Sequence, residues 1–504
     1  MKRRLFIGSA VAVIAGCRRE EDLSAGQGTS IAELLERLLA GRVSEKRVLE
    51  HYLKRIGALD KTGPKLQAIL ELNPDLKKTG SSGPLRGIPI LIKDNIETAD
   101  AMETTAGSLA LLGAPKPAQD ATVVTRLREA GAVILGKTNL SEWANIRSPS
   151  STSGWSARGG LTLNPHNLEH SASGSSSGSA VAVAAGLCAA AIGTETNGSI
   201  VSPAAACGIV GLKPTLGLIS RTGIIPITRW QDTAGPMTQT VRDAALLLNV
   251  LAGTDKRDAA TGTAQVAKDY SFTLKKEGLE GRRLGVLRSL SGFNRHVWRL
   301  FERTLLTLQE AGAILVEGVE IPNHREASSA AWIAMLTEFR QELNAYLIAR
   351  GGGVKSLAEL IAYNEEHRTQ EMPHFNQEFF IEAESRHTPE HLAKAVELRQ
   401  LATRLAGPEG IDVTLKKDRL DALICPTNDP AGRIDLGLGD ANVRVFSTQA
   451  AVAGYPHLTV PMGVAEGLPV GLSFIGPAWS EARLLEMGHA FELLREFVPA
   501  RLFV

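Results

Sequence analysis

Residues 173–214 read SGSSSGSAVAVAAGLCAAAIGTETNGSIVSPAAACGIVGLKP, and the reading of this run decides the fold. Serines crowd its start. Small apolar residues then predict a helix over Gly178 to Ala191, packed closely against a sheet. Singly, the pieces are ordinary: serines cap helix starts, and Asn197-Gly198 makes a turn. Their combination in one segment is far more specific.

Working outward, Ile88-Pro-Ile-Leu-Ile92 is a short apolar run that predicts a buried strand. It delivers Lys93-Asp94-Asn95 at its carboxyl end. Ser30-Ile-Ala-Glu33 fits a capping box, and Val48, Tyr52, Leu53 and Ile56 mark a second helix. A helix is expected over 121–130 and a strand over Ala132 to Leu135. Further strands are expected at Leu284 to Leu287, Ile314 to Val316, Ala422 to Ile424, His457 to Val460 and Val470 to Ile475, with a helix reaching Gly312. Strands alternating with helices predict an α/β layered fold. Residues 327–420 are charged and helix-prone, which predicts a helical excursion covering one side of the core. The strand pattern then returns, so no separable carboxyl-terminal domain is expected.

The 504 residues are 44% hydrophobic and 22% charged, an ordinary globular balance, and length alone suggests about three domains. A net charge of +1 gives no general attraction to nucleic acid. The four cysteines form no Cys-x-x-Cys pair or Cys/His cluster, so no metal site is expected. Cys188 and Cys207 sit among small apolar residues and read as buried thiols.

The amino terminus reads as a targeting segment. Lys2, Arg3 and Arg4 precede an apolar run, Leu5 to Gly16, too short to span a bilayer. Ile14-Ala-Gly-Cys17 resembles a lipobox, which implies lipidation at Cys17. Arg3-Arg-Leu-Phe-Ile7 resembles a twin-arginine signal. Residues 1–17 are therefore read as an export signal and 18–28 as a tether. The expected location is periplasmic or cell-envelope, with membrane contact only through the lipid.

Three motif matches compete. Gly131 to Thr138 fits the P-loop spacing, but the intervening Ala-Val-Ile-Leu is itself strand-like, and a helical stretch precedes it. Lys137 therefore reads as structural. Gly174 to Gly178 fits G-x-S-x-G, which would make Ser176 a nucleophile; the sequence marks no histidine partner for it, and His457 is a candidate. An elbow must cap a strand, and residues 164–173 are polar and turn-like instead. The third match is the whole run from Ser173 to Pro214.

That run resembles the signature of the amidase-signature family, and the likeness extends over roughly residues 30–490. It includes Gly87 to Asn95, Gly131 to Asn139, Gly454 to Pro461 and Leu468 to Leu472. The resemblance implies one α/β/α domain around a mixed β-sheet, spanning 29–504, in place of three domains. It implies a Ser-cisSer-Lys triad: Ser199 as nucleophile, Ser175 as the proton relay held by a cis bond to Gly174, and Lys93 as general base. Thr196, Asn197 and Gly198, with Ser199, would supply oxyanion-hole amides. No cofactor or metal is implied. A lysine serves as base only when neutral, so burial must lower its pKa from about 10.4.

Asn197 and Val201 replace the commoner glycine and arginine of the pattern. Gly193 to Val201, Ser153-Gly-Trp155, Ser220 to Pro226 and Gln231 to Met237 resemble the bacterial peptide-amidase branch. That branch implies hydrolysis of carboxyl-terminal peptide amides with release of ammonia. The alternatives are a glutamine-hydrolysing, amidotransferase-like subunit or a non-catalytic peptide-binding lipoprotein. Trp143, Trp155, Asp232, Phe375 and Gln377 are pocket candidates.

Overall fold

A computed structural model describes residues 29–76, 82–288, 294–440 and 443–495. Cys17 and the segments read as export signal and tether lie outside them. The strands are β1 (Ile69–Leu72), β2 (Pro89–Lys93), β3 (Val133–Thr138), β4 (Trp155–Ser156), β5 (Gly160–Leu161), β6 (Ala190–Glu195), β7 (Val210–Lys213), β8 (Thr233–Thr238), β9 (Arg283–Leu287), β10 (Ile314–Val319), β11 (Ala422–Pro426), β12 (His457–Ala465) and β13 (Leu468–Ile475). All but the β4–β5 pair form one mixed sheet in the order β1-β3-β2-β6-β8-β7-β12-β13-β11-β9-β10. Helices flank it, so the expected α/β architecture around a mixed sheet is what the chain adopts.

Apolar continuity explains the centre of this sheet. Every residue of β2 and β6 is buried, as expected for strands covered on both faces. β2 runs parallel to both β3 and β6. The carboxyl ends of β2 and β6 therefore lie side by side, which brings Lys93 next to Thr194. Crevices at the carboxyl ends of parallel strands are where α/β sheets bind ligands.

The helix Ser177–Ala184 packs against this region through small side chains, all buried from Ser177 to Val183. Its approach is close enough to require glycine. A Cβ at Gly178 would lie 2.3 Å from the Ala68 carbonyl and 2.5 Å from that of Asn139. The helix ends at Ala184, short of the predicted Ala191, because Gly186 turns the chain with φ +64°. Ala190 and Ala191 open β6 instead. Composition alone does not separate these two states, since alanine serves the helix and the tight sheet-to-helix contact equally.

β7 and β8 were not anticipated. Thr233-Ala-Gly-Pro-Met-Thr238 carries glycine and proline, which read as turn residues. β8 nevertheless lies inside the sheet. On its β7 side the ladder pairs only Met237 and Thr238, so no bond to β7 is asked of Pro236.

Between β10 and β11 the chain is helical, with the long helices His324–Arg350 and Pro389–Ala406 packed together. This part has its own apolar cluster: Leu336, Phe339, Leu343, Leu357 and Phe380 close over Trp143, Ile225 and Ile227. The excursion thus sits over the loops that follow β3 and β7.

Replacing Gly178 by alanine should lower unfolding stability by about 1–3 kcal/mol through overpacking against backbone. Urea or thermal unfolding reads this directly; an unchanged midpoint would contradict so close a contact.

Candidate active site

Lys93 ends β2 with no exposed surface. Its Nζ lies 2.8 Å from Ser175 Oγ, 2.9 Å from Thr194 Oγ1 and 3.2 Å from the Thr194 carbonyl. Burial pushes the Lys93 ammonium down to about 7, against the opposing influence of Glu195 and Asp232. A neutral amine has two N–H groups and one lone pair. Two hydrogens toward Thr194 and the lone pair toward the Ser175 hydroxyl match its three neighbours. In the charged form the Ser175 contact reverses and the nitrogen donates.

Ser175 precedes the helix Ser177–Ala184, and the Gly174–Ser175 peptide is cis. Gly174 is tightly enclosed, since a Cβ there would meet Ser141 Oγ at 2.2 Å. The next amide, Ser176 N–H, donates to the Ser199 carbonyl at 3.2 Å, so the segments bearing Ser175 and Ser199 are hydrogen-bonded neighbours. Lys93, Ser175 and Ser199 therefore converge on one locus from three parts of the chain.

Ser176 has a different place. It is fully buried. Its hydroxyl donates to the Thr194 carbonyl at 3.1 Å and accepts from the Thr194 amide at 3.2 Å. This clamps the helix start to β6 and leaves no free hydroxyl. His457 is buried within β12 against Ser473 Oγ at 2.7 Å, and burial lowers its pKa to about 3. The elbow alternative thus lacks an available nucleophile. The P-loop match fails too, because Val133–Thr138 is β3 and Lys137 Nζ donates to Ile96 O and Thr104 Oγ1.

Ser199 lies in the turn from β6 to the short helix Val201–Ala206. Glu195 anchors this turn. One carboxylate oxygen accepts from the amides of Ile200 at 2.8 Å and Val201 at 3.1 Å, the helix-start geometry that favours a carboxylate. Among the described residues, none accepts from the amides of Asn197, Gly198 or Ser199. Gly198 has φ +83°, and a Cβ there would meet Ser447 Oγ at 2.9 Å.

Asn197 has a visible use in place of glycine. Its Oδ1 accepts from Ser447 Oγ at 2.7 Å, and its Nδ2 donates to Thr448 Oγ1 at 3.2 Å. Its side chain ties the turn to the start of the helix Thr448–Ala453. Val201 is fully buried, where an arginine would need a partner.

Two cavities border the turn. One, of about 260 Å³, is lined by Asn145, Ser173, Gly174, Asn197, Gly198 and Ser202. The other, of about 300 Å³, is lined by Asn95, Thr194, Glu195, Thr196 and Asp232. Asp232 accepts from Thr196 Oγ1 at 2.6 Å, and burial raises its carboxyl to about 6. The other pocket candidates are buried in contacts within the protein. Trp143 meets Phe380 edge-on, Trp155 and Phe375 pack around the buried Arg147, and Gln377 bonds to Ile361 O and Glu365. An aromatic residue reports burial more reliably than contact with a ligand. Glu195 was missed although it stands inside the quoted run; Ser447 carries no local signal.

A buried amine of pKa about 7 beside a serine hydroxyl can accept a proton only when neutral. Hydrolysis should therefore rise with pH, kcat/KM climbing through about pH 7. An activity independent of pH from 5 to 9 would contradict this. Ser199→Ala should abolish hydrolysis, whereas Ser176→Ala should retain turnover with lowered stability, measured as ammonia release and thermal midpoint.

A family model described as Amidase matches residues 47–485. A probable amidase of Arabidopsis thaliana is 40% identical over 476 residues, covering 90% of this chain and 87% of that protein. A glutamyl-tRNA(Gln) amidotransferase subunit from Symbiobacterium thermophilum is 34% identical, covering 94% and 98%. Among solved structures, the native peptide amidase from Stenotrophomonas maltophilia is 49% identical with a TM-score of 0.89, covering 94% of this chain and 99% of that one. The chain belongs to the amidase family and is a hydrolase of amide bonds.

Proposed function

We propose that the protein hydrolyses carboxyl-terminal amides of peptides through an acyl-enzyme on Ser199 and releases ammonia. The observation that carries this reading is the Lys93–Ser175 hydrogen bond at 2.8 Å, formed by an amine that burial holds near neutrality.

Ser199 Oγ attacks the amide carbon while its proton passes to Ser175 Oγ, whose own proton passes to Lys93 Nζ. The carbonyl oxygen becomes an oxyanion facing the free amides of Asn197, Gly198 and Ser199, where one well-placed donor is worth about 3 kcal/mol. As the intermediate collapses, the carbon–nitrogen bond breaks. Lys93 returns its proton through Ser175 to the departing nitrogen, and ammonia leaves. Water then attacks the ester, losing its proton along the same relay. The carbon–Oγ bond breaks, Ser199 Oγ takes that proton back through Ser175, and the carboxylic acid leaves.

Similarity to a peptide amidase at 49% identity supports peptide amides as the substrate class. The likeness of Ile14 to Cys17 to a lipobox supports an exported, cell-envelope enzyme anchored through Cys17, away from tRNA-linked glutamine chemistry.

Ammonia release should be faster by about tenfold or more in kcat/KM for amidated peptides than for free glutamine. A preference for glutamine would favour the amidotransferase-like alternative. Cys17→Ala should move the protein from the membrane fraction to the soluble fraction; unchanged partitioning would exclude the lipid anchor.

A further inference from the structure

Behind the turn that carries Ser199, polar side chains close into a ring that begins and ends at Thr196. The Thr196 carbonyl accepts from Gln231 Nε2 at 3.1 Å, and Gln231 Oε1 accepts from Arg399 Nη1 at 2.6 Å. Arg399 grips Glu338 through two bonds, Nε to Oε1 at 3.1 Å and Nη2 to Oε2 at 2.8 Å. Glu338 Oε2 also accepts from Thr228 Oγ1 at 2.6 Å. The Thr228 amide donates to Asp232 Oδ2 at 2.9 Å, and Asp232 Oδ1 accepts from Thr196 Oγ1 at 2.6 Å. Gln231, Arg399 and Glu338 are 2%, 4% and 9% exposed, so water competes little for these bonds. Arg399 and Glu338 belong to the two long helices of the excursion, Pro389–Ala406 and His324–Arg350.

The ring has a fixed direction. A guanidinium only donates, so the Gln231 carbonyl must face Arg399. That leaves the Gln231 N–H group for the Thr196 carbonyl. The Thr196–Asn197 peptide is trans, because the one cis bond among the described residues is Gly174–Ser175. In a trans peptide the C=O and N–H point to opposite sides. Holding the Thr196 oxygen toward Gln231 therefore turns the Asn197 N–H the other way. Asn197 lines the cavity it shares with Gly174 and Gly198.

We propose that Gln231 and Arg399 are positioning residues that lock the Thr196–Asn197 peptide plane, so that the Asn197 N–H is aimed at the developing oxyanion before substrate arrives. The helical excursion then does more than cover the sheet: it supplies the outer end of the brace. The proposal rests on the acyl-transfer reading of the site.

The test compares the full-length protein with Gln231→Leu, Gln231→Glu and Arg399→Met. Gln231→Glu is the informative variant. It retains an acceptor for Arg399, and so the buried ion-pair network, but loses the N–H that holds Thr196. Arg399→Met also strands Glu338, so its effect includes a stability loss. Kinetics on an amidated peptide are paired with binding of the matching peptide aldehyde, which forms a tetrahedral adduct with a serine, and of the peptide carboxylate, which does not. Both Gln231 variants should lose about 10- to 100-fold in kcat, while KM and carboxylate affinity move less than about threefold. Aldehyde affinity should fall by the same factor as kcat/KM, and Gln231→Glu, which keeps the acceptor for Arg399, should lose less in thermal midpoint than Arg399→Met. Wild-type kcat and aldehyde affinity in both Gln231 variants would overturn the brace, as would parallel losses of aldehyde and carboxylate binding. A wild-type protein that neither hydrolyses the peptide amide nor captures the aldehyde would overturn the acyl-transfer reading itself.

Discussion

One contact organises this site: a lysine amine, buried at the end of a strand that is covered on both faces, against a serine hydroxyl 2.8 Å away. Burial is what makes a lysine useful there. An exposed ammonium keeps its proton far above neutral pH, whereas desolvation brings Lys93 to about 7. The rest of the architecture serves that condition. β2 needs parallel neighbours on both sides to be so enclosed, and β3 and β6 supply them. Small residues in the helix Ser177–Ala184 let Ser175 approach. Thr194 on β6 satisfies the remaining valences of the amine, so the site holds it without a formal counter-ion in direct contact.

Glu195 and Asp232 show how charge is kept nearby yet occupied. Glu195 spends one oxygen on the helix start after Ser199, and Asp232 is engaged by Thr196 and the amides of Ile227 and Thr228. Both favour the protonated amine from a distance, and burial outweighs them. The opposition leaves Lys93 near neutrality, the range in which a group both accepts and returns a proton efficiently.

Much of this was legible because its residues lie in short contiguous motifs. Lys93 follows an apolar strand pattern, and Ser175 and Ser199 stand within one 42-residue run. The α/β class followed from alternation of apolar strands and amphipathic helices. What escaped notice did so for physical reasons. β8 hides behind glycine and proline, which the sheet accommodates because the β7 ladder stops short of Pro236. The ring through Gln231, Arg399 and Glu338 joins positions far apart in sequence, and nothing local marks a buried arginine before its carboxylate is found. The role of Asn197 required its partners Ser447 and Thr448, some 250 residues away. Sequence does not sort Trp143, Trp155 and Phe375 into core or pocket, because ring burial looks alike in both.

The most direct measurement of the central claim is the ionisation of Lys93 itself. Carbon-13 NMR of lysine side-chain Cε resonances, with Lys93 assigned by its absence in Lys93→Arg, follows it from pH 5 to 11. The Lys93 resonance should titrate near pH 7, with the buried Lys137 and Lys213 next at about 8, all below the ordinary lysine value of about 10.4. A Lys93 that keeps its proton to pH 10 would contradict it, since a charged amine has no lone pair with which to take a proton from Ser175.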